Sequence, residues 1–246
     1  MRHPYGDPPR PWERFERTIS HYTLEPGPRD PLVEGMRFPG LVSAYRSQCP
    51  SWDVAPTQAD YAAWVQHLVW CACEPGGRLP DARAVQARAG RAYISLVVQH
   101  HAYLVLQDTF GATAWDDDLD MRYGVDLIAI GNDAVAVGLA LRAPTKRSRE
   151  LAARKAERYG SLPFKVQVLE VEPYGYTAGP FWLYRPETLV GAVMHEVRRY
   201  WDRKARDLAA AAGAAYLAGL RRPKASRRDF MDGVAAALDA LRESAG

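Results

Sequence analysis

The chain has 246 residues, enough for one large domain or two small ones, and its 48% hydrophobic and 25% charged content is typical of a globular protein. Its net charge of +3 identifies no partner class. The three cysteines lack the spacing of a zinc site and give no argument for an oxidising compartment. No stretch predicts a membrane span or a signal peptide, so a cytoplasmic location is expected by default. No Walker, GxGxxG or GxSxG motif occurs in a credible context. Their absence argues against nucleotide hydrolysis, dinucleotide chemistry and serine hydrolase chemistry.

Charge is distributed unevenly along the chain. Asp108–Asp126 holds six Asp against one Arg, whereas Arg142–Arg158 holds seven basic and two acidic residues. Arg185–Arg228 holds eleven basic and four acidic residues. An acidic, metal-binding site flanked by phosphate-binding surfaces would have this pattern. Solvated helix faces in an arginine-rich sequence would have it too.

The first third of the chain predicts an arm followed by two helices. Residues 1–35 hold seven prolines and little periodicity, and we interpret 1–56 as a proline-rich N-terminal arm. Thr57 is a plausible cap for a helix with apolar residues at helical spacing. A longer helix begins near Asp81 and extends to about Leu106. Its length predicts a central element that packs against a sheet.

The middle of the chain predicts strands with one intervening helix, and the end predicts helices. Strands are expected at 125–130, 134–142, 164–172 and 181–184, a basic helix at 145–158, a loop at 173–179 and a long helix from 187 to 220. Residues 57–220 would then form one domain, and 221–246 a basic linker with an amphipathic helix. This order predicts an α/β fold with a mixed sheet flanked by helices, and helical extensions at both ends.

The two central strands carry the most informative residues. Asp126 opens the first strand, and Ala140-Leu-Arg142 closes the second. A phosphodiester-cleaving centre needs carboxylates at adjacent strand ends to bind a divalent metal, with a lysine nearby. Asp126 suits the metal position. Ala140 cannot bind a metal, and Arg142 is a poor base because it stays protonated, although it could hold a phosphate.

Residues 83–198 resemble the TaqI-type type II restriction endonucleases. The resemblance runs in order through five blocks: Gln86–Ser95, Gly124–Ile128, Leu139–Ser148, Val168–Tyr174 and Gly179–Glu187. It implies a magnesium-dependent, homodimeric DNA endonuclease with the restriction-endonuclease core fold, with Asp126 at the metal aspartate. The family's Gln-x-Lys is Ala140-x-Arg142 here, and a glutamate of its long helix is Gln86.

These departures leave three functions open. The first, which we favour, is a DNA-binding or structural subunit with a degenerate nuclease centre. The second is an active magnesium-dependent endonuclease with relocated residues, and the third is a protein-interaction module. A homodimer or a place in a larger complex is possible, and no membrane partner is expected.

The candidate catalytic residues are Asp126 (also the metal ligand), Arg142, Lys146 and Glu150. The candidate DNA-binding residues are Arg142, Lys146, Arg147, Arg149, Arg198, Arg199, Arg203 and Lys204.

Overall fold

A computed structural model describes residues 8–73, 77, 79–130, 135–142, 150, 165–170 and 175–220, with side chains described to residue 207 except at 122, 123 and 170. The chain divides into two compact units, residues 1–194 and 195–246. Within the described ranges, no helix combines the length and apolar character needed to cross a membrane.

The described elements are six α-helices, one π-helical turn and six strands. The helices are α1 (Pro11–Ile19), α2 (Pro31–Gly35), α3 (Leu41–Gln48), α4 (Gln58–Cys71), α5 (Ala82–Phe110) and α6 (Pro186–Leu220), and the π-helical turn is Leu119–Tyr123. The strands are β1 (Thr113–Ala114), β2 (Leu127–Ile130), β3 (Ala136–Arg142), β4 (Lys165–Glu170), β5 (Gly175–Ala178) and β6 (Phe181–Tyr184).

The two helices predicted before the sheet are confirmed, together with their caps. The Thr57 hydroxyl accepts a hydrogen bond from the Asp60 backbone N–H, and the Asp81 carboxylate accepts one from that of Ala84. Each bond satisfies one of the backbone donors that a helix start leaves without a partner. Helix α5 ends at Phe110 and is followed by Gly111, whose left-handed φ of 69° suits glycine.

The N-terminal segment differs from the extended arm that the proline count predicts. Helix α1 starts at Pro11, and Pro is compatible with the first turn because the N–H it lacks has no partner there. Phe15 and Ile19 project from one face of α1 and are fully buried. Helix α1 packs against α5, so this segment contributes to the core of the first unit.

The sheet has four strands in the order β1-β2-β3-β4. Strands β1, β2 and β3 are antiparallel neighbours, and β4 is parallel to β3. The predicted mixed sheet and α/β class are therefore confirmed. Helix α5 packs against β1, β2, β6 and α4, and its residues Tyr93 and Val97 are fully buried. It is the central element that its length predicted.

Strands β5 and β6 form a separate antiparallel hairpin. The prediction of a loop over 173–179 is wrong for Gly175–Ala178, which form a strand paired with β6. The glycines and tyrosines of this segment had suggested a turn. Gly179 turns the hairpin with φ of 56°, and a Cβ there would lie 2.7 Å from the Ser20 carbonyl oxygen. The close approach to the end of α1 therefore requires glycine. The predicted basic helix at 145–158, apart from Glu150, and the predicted C-terminal helix lie outside the described residues.

Candidate functional site

Asp126 lies directly before β2, beside the end of β3. Leu127, the first residue of β2, pairs with Leu139 in the antiparallel register. The Asp126 backbone N–H also donates to the Leu139 carbonyl, at 2.9 Å, which fixes Asp126 beside this part of β3. Because side chains alternate along a strand, Arg142 is on the same side of β3 as Ala140. Asp126, Ala140 and Arg142 border one cleft.

Both carboxylate oxygens of Asp126 accept N–H groups. The Leu141 backbone N–H donates to Oδ2 at 2.6 Å, and the Gln99 side-chain amide donates to Oδ1 at 2.9 Å. Asp126 is 8% exposed, so these bonds compensate a buried negative charge. Gln99 reaches the site from α5, and its side-chain oxygen accepts the Trp115 indole N–H at 3.1 Å.

The cleft has a volume of about 550 Å³ and is built from α5, the loop before α3, the π-helical turn and the ends of β2 and β3. It contains both signs of charge. Its charged residues are Arg37, Arg88, Asp117, Asp120, Asp126 and Arg142.

Two of these charged residues hold the walls of the cleft together. The Asp117 carboxylate accepts the backbone N–H groups of Val42 and Ser43 at 2.8 and 2.9 Å, where it caps α3. A carboxylate is stabilised at that end by the partial positive charge of the helix dipole. Arg88 donates to the carbonyl oxygens of Val33 and Met36, and its guanidinium lies 4.1 Å from the ring centroid of Phe38.

Tyr184 fixes the backbone of Arg142. Its hydroxyl accepts the Arg142 backbone N–H at 2.6 Å and lies 2.8 Å from the Leu169 carbonyl oxygen, to which it donates. Tyr184 is buried. The ends of β3 and β4 are thus joined through a side chain of β6, and the position of Arg142 beside Asp126 is set by the core.

The described residues do not fit a magnesium site. Mg²⁺ prefers six oxygen ligands in near-octahedral geometry. Asp126 directs both oxygens at N–H donors, and Ala140 supplies no ligand. Among the residues that the structure describes, no group of three or more His, Cys, Asp or Glu side chains could hold a metal ion.

Of the remaining candidate catalytic residues, Glu150 is exposed. Lys146, Arg147 and Arg149 lie outside the described residues, so relocated catalysis stays a prediction.

The predicted basic face of the last long helix belongs to the second unit. The Arg199 guanidinium donates to the Glu196 carboxylate at 3.1 Å, and Arg203 donates to the Arg199 carbonyl. The Lys204 ammonium lies 5.6 Å from the ring centroid of Tyr200. Arg198 is exposed.

The helix residue that contacts Asp126 is Gln99, not Gln86. The Gln86 amide donates to Gln66 at 2.6 Å, and Gln86 borders a different cavity. The two glutamines are thirteen residues apart, about 20 Å along a helix. Sequence reasoning missed Gln99, although its helical spacing from Ala92 and Leu96 was visible and all three border the cleft.

Comparison with known proteins finds no matching family model and no significant match among curated proteins or solved structures. The function proposed below therefore rests on the geometry of the site and on the sequence resemblance.

Proposed function

We propose that this protein is a DNA-binding subunit with a restriction-endonuclease-like core and a degenerate nuclease centre. The single observation that carries the proposal is the cleft at which β2 and β3 meet. Asp126, directly before β2, is bonded to the backbone of Leu139 and Leu141. It borders the cleft together with Ala140 and Arg142. A nuclease of this kind would have a ligand and a lysine at the last two positions.

The order of elements supports the proposed core. A long helix is followed by three antiparallel strands and then by a strand parallel to the third. The acidic residue and its basic neighbour come from the two central strands, as the resemblance to TaqI-type endonucleases implies. The resemblance also implies a homodimer, which we retain as part of the proposal.

The chemistry of the Arg142 side chain favours DNA over a small molecule as the partner. Its guanidinium keeps its charge and offers planar donors that match phosphate oxygens, while it is a poor base. Arg37 borders the same cleft and is exposed. Phosphate contacts of this kind position a protein on DNA without reading its sequence.

Binding is tested by fluorescence anisotropy with a mixed-sequence duplex in EDTA over a range of NaCl concentrations. We expect the affinity to fall steeply with salt, because bound cationic side chains release counterions from the duplex. Arg142→Ala should lower the slope of log K against log salt by about one. Arg83→Ala is the matched control, since Arg83 is exposed on α5 and borders a different cavity. No binding at low salt would overturn the proposal and favour the protein-interaction module.

Catalysis is tested by incubating plasmid DNA with the protein in Mg²⁺ or Mn²⁺, beside an EDTA control and Asp126→Asn. We expect no cleavage. Cleavage that needs both the metal and Asp126 would overturn the degenerate centre and establish the active endonuclease. The position of Asp120 favours this alternative, because its carboxylate borders the same cleft as Asp126. Lys146 and Glu150 would then be the next residues to substitute.

A further inference from the structure

The hydrogen bond between Gln99 and Asp126 joins α5 to the start of β2 in the candidate centre. An amide side chain can present either its oxygen or its nitrogen to a neighbour, and the surrounding bonds determine which. The Trp115 indole N–H can only donate, and it donates to the Gln99 side-chain oxygen. The amide nitrogen is consequently the atom that faces Asp126 Oδ1.

A divalent cation at Asp126 would need the carboxylate oxygens that already accept N–H groups. The Gln99 amide presents hydrogen atoms to Oδ1, and the backbone N–H of Leu141 does the same at Oδ2. These two N–H groups are held in place by their own elements. Their partial positive charges occupy the positions beside the buried carboxylate that a cation would need. Ala140 borders the same cleft, and its methyl side chain supplies no ligand for a cation.

We propose that Gln99 is the residue that excludes divalent cations from Asp126, and that Gln99→Glu converts the centre into a divalent-cation site. The substitution exchanges an amide N–H donor for a carboxylate oxygen at nearly constant shape. The Trp115 N–H still has an oxygen to donate to, so the side chain keeps its orientation. Two carboxylates then face each other at a spacing of about 2.9 Å and need a cation or a proton between them.

The test measures cation binding without DNA, by electron paramagnetic resonance of free Mn²⁺ and by thermal unfolding. We expect Gln99→Glu to bind one Mn²⁺, and its Tm to rise by about 5 to 10 °C at a hundred times the Kd. The wild-type protein should show neither effect. The double variant with Asp126→Asn should lose the site.

Gln86→Glu is the matched control, because it places the same new carboxylate on the same helix beside Gln66 instead of Asp126. We expect no Mn²⁺ binding there. Equal binding by Gln86→Glu and Gln99→Glu would overturn the proposal, and so would wild-type binding that Asp126→Asn abolishes. A folded Gln99→Glu protein that binds no Mn²⁺ would overturn it too.

If Gln99→Glu does not fold, Gln99→Ala keeps the proposal falsifiable. It removes the donor at Oδ1 without adding charge, and Mn²⁺ should then bind at least about tenfold more tightly than to the wild-type protein, a difference of about 1.4 kcal/mol. An unchanged affinity would contradict the role of Gln99. This inference does not depend on DNA binding, because the Mn²⁺ measurements contain no DNA and the anisotropy measurements, made in EDTA, contain no free divalent cation.

Discussion

The indole N–H of Trp115 donates to the side-chain oxygen of Gln99 at 3.1 Å, and this bond determines which end of the Gln99 amide faces Asp126. Trp115 lies after β1, whereas Gln99 lies on α5 and Asp126 directly before β2. The centre therefore depends on a residue that does not border the cleft itself.

Trp115→Phe should destabilise the protein by about 1 to 3 kcal/mol, because it leaves a part-buried amide oxygen without its donor and removes ring area from the core. Urea denaturation measures the change in the free energy of unfolding. Trp52→Phe is the matched control, since Trp52 is 52% exposed and should change stability by less than about 0.5 kcal/mol. Equal effects of the two substitutions would contradict the structural role of Trp115.

Tyr184→Phe should lower the free energy of unfolding by about 1 to 3 kcal/mol, because it removes the hydroxyl between the Arg142 N–H and the Leu169 carbonyl and leaves both part-buried groups without that partner. The variant should also bind DNA more weakly in EDTA, since the backbone of Arg142 loses its anchor. Tyr103→Phe removes a hydroxyl outside this strand junction and serves as the control in urea denaturation. A Tyr184→Phe protein as stable as the control would show that the junction does not stabilise the sheet.

His100 should make the protein sensitive to moderate acid. Its ring is buried between the Tyr45 hydroxyl and the Trp52 carbonyl oxygen, and burial lowers its pKa to about 3, despite the opposing hydrogen bond to that carbonyl. The unfolded chain protonates near the ordinary histidine pKa of about 6.5 and the folded chain does not. The free energy of unfolding should therefore fall as the pH drops from about 6.5 towards 3, by up to about 1.4 kcal/mol per pH unit.

The measurement for His100 is urea denaturation of the wild-type protein and His100→Gln at several pH values between 7 and 4. The difference between the two proteins should shrink as the pH falls, because only the wild-type unfolded chain gains this proton. A difference that is constant over this range would contradict a neutral, buried His100.

Glu16 should add a second acid-sensitive contact at lower pH. The Glu16 carboxylate accepts hydrogen bonds from His101 at 2.8 Å and from the Tyr176 hydroxyl, and so joins α1 to α5 and β5. Partial burial acts to raise the pKa of Glu16, but the hydrogen bonds from His101 and Tyr176 outweigh it and the net pKa is lowered. The ionised carboxylate thus stabilises the fold above the ordinary glutamate pKa of about 4.5.

This contribution should be lost as the pH falls from about 4.5 through the lowered pKa of folded Glu16. Glu16→Gln should remove that part of the pH dependence, in urea denaturation between pH 6 and 3, while leaving the His100 dependence at higher pH. Glu13→Gln is the control on the same helix. Identical pH profiles for the wild-type protein and Glu16→Gln would refute the contact.

The sequence determined the elements whose signals are local. The caps at Thr57 and Asp81 and the apolar spacing that follows them predicted α4 and α5, and apolar runs predicted the central strands. The same reasoning failed for α1 and β5. In α1 the prolines obscured a short helix whose apolar face is stabilised by burial against α5, and in β5 the glycines and tyrosines resemble a loop until the strand pairs with β6.

The sequence also indicated which residues could take part in chemistry, since Asp126 and Ala140-x-Arg142 were evident from the order of residues. Only the tertiary structure decided that Gln99 and Trp115 complete the centre while Gln86 lies elsewhere. The bonds that join them span 27 residues between Gln99 and Asp126 and 16 between Gln99 and Trp115. Contacts over such separations depend on how α5 packs against the sheet. No local pattern specifies that packing, because it arises from burial of the whole apolar face.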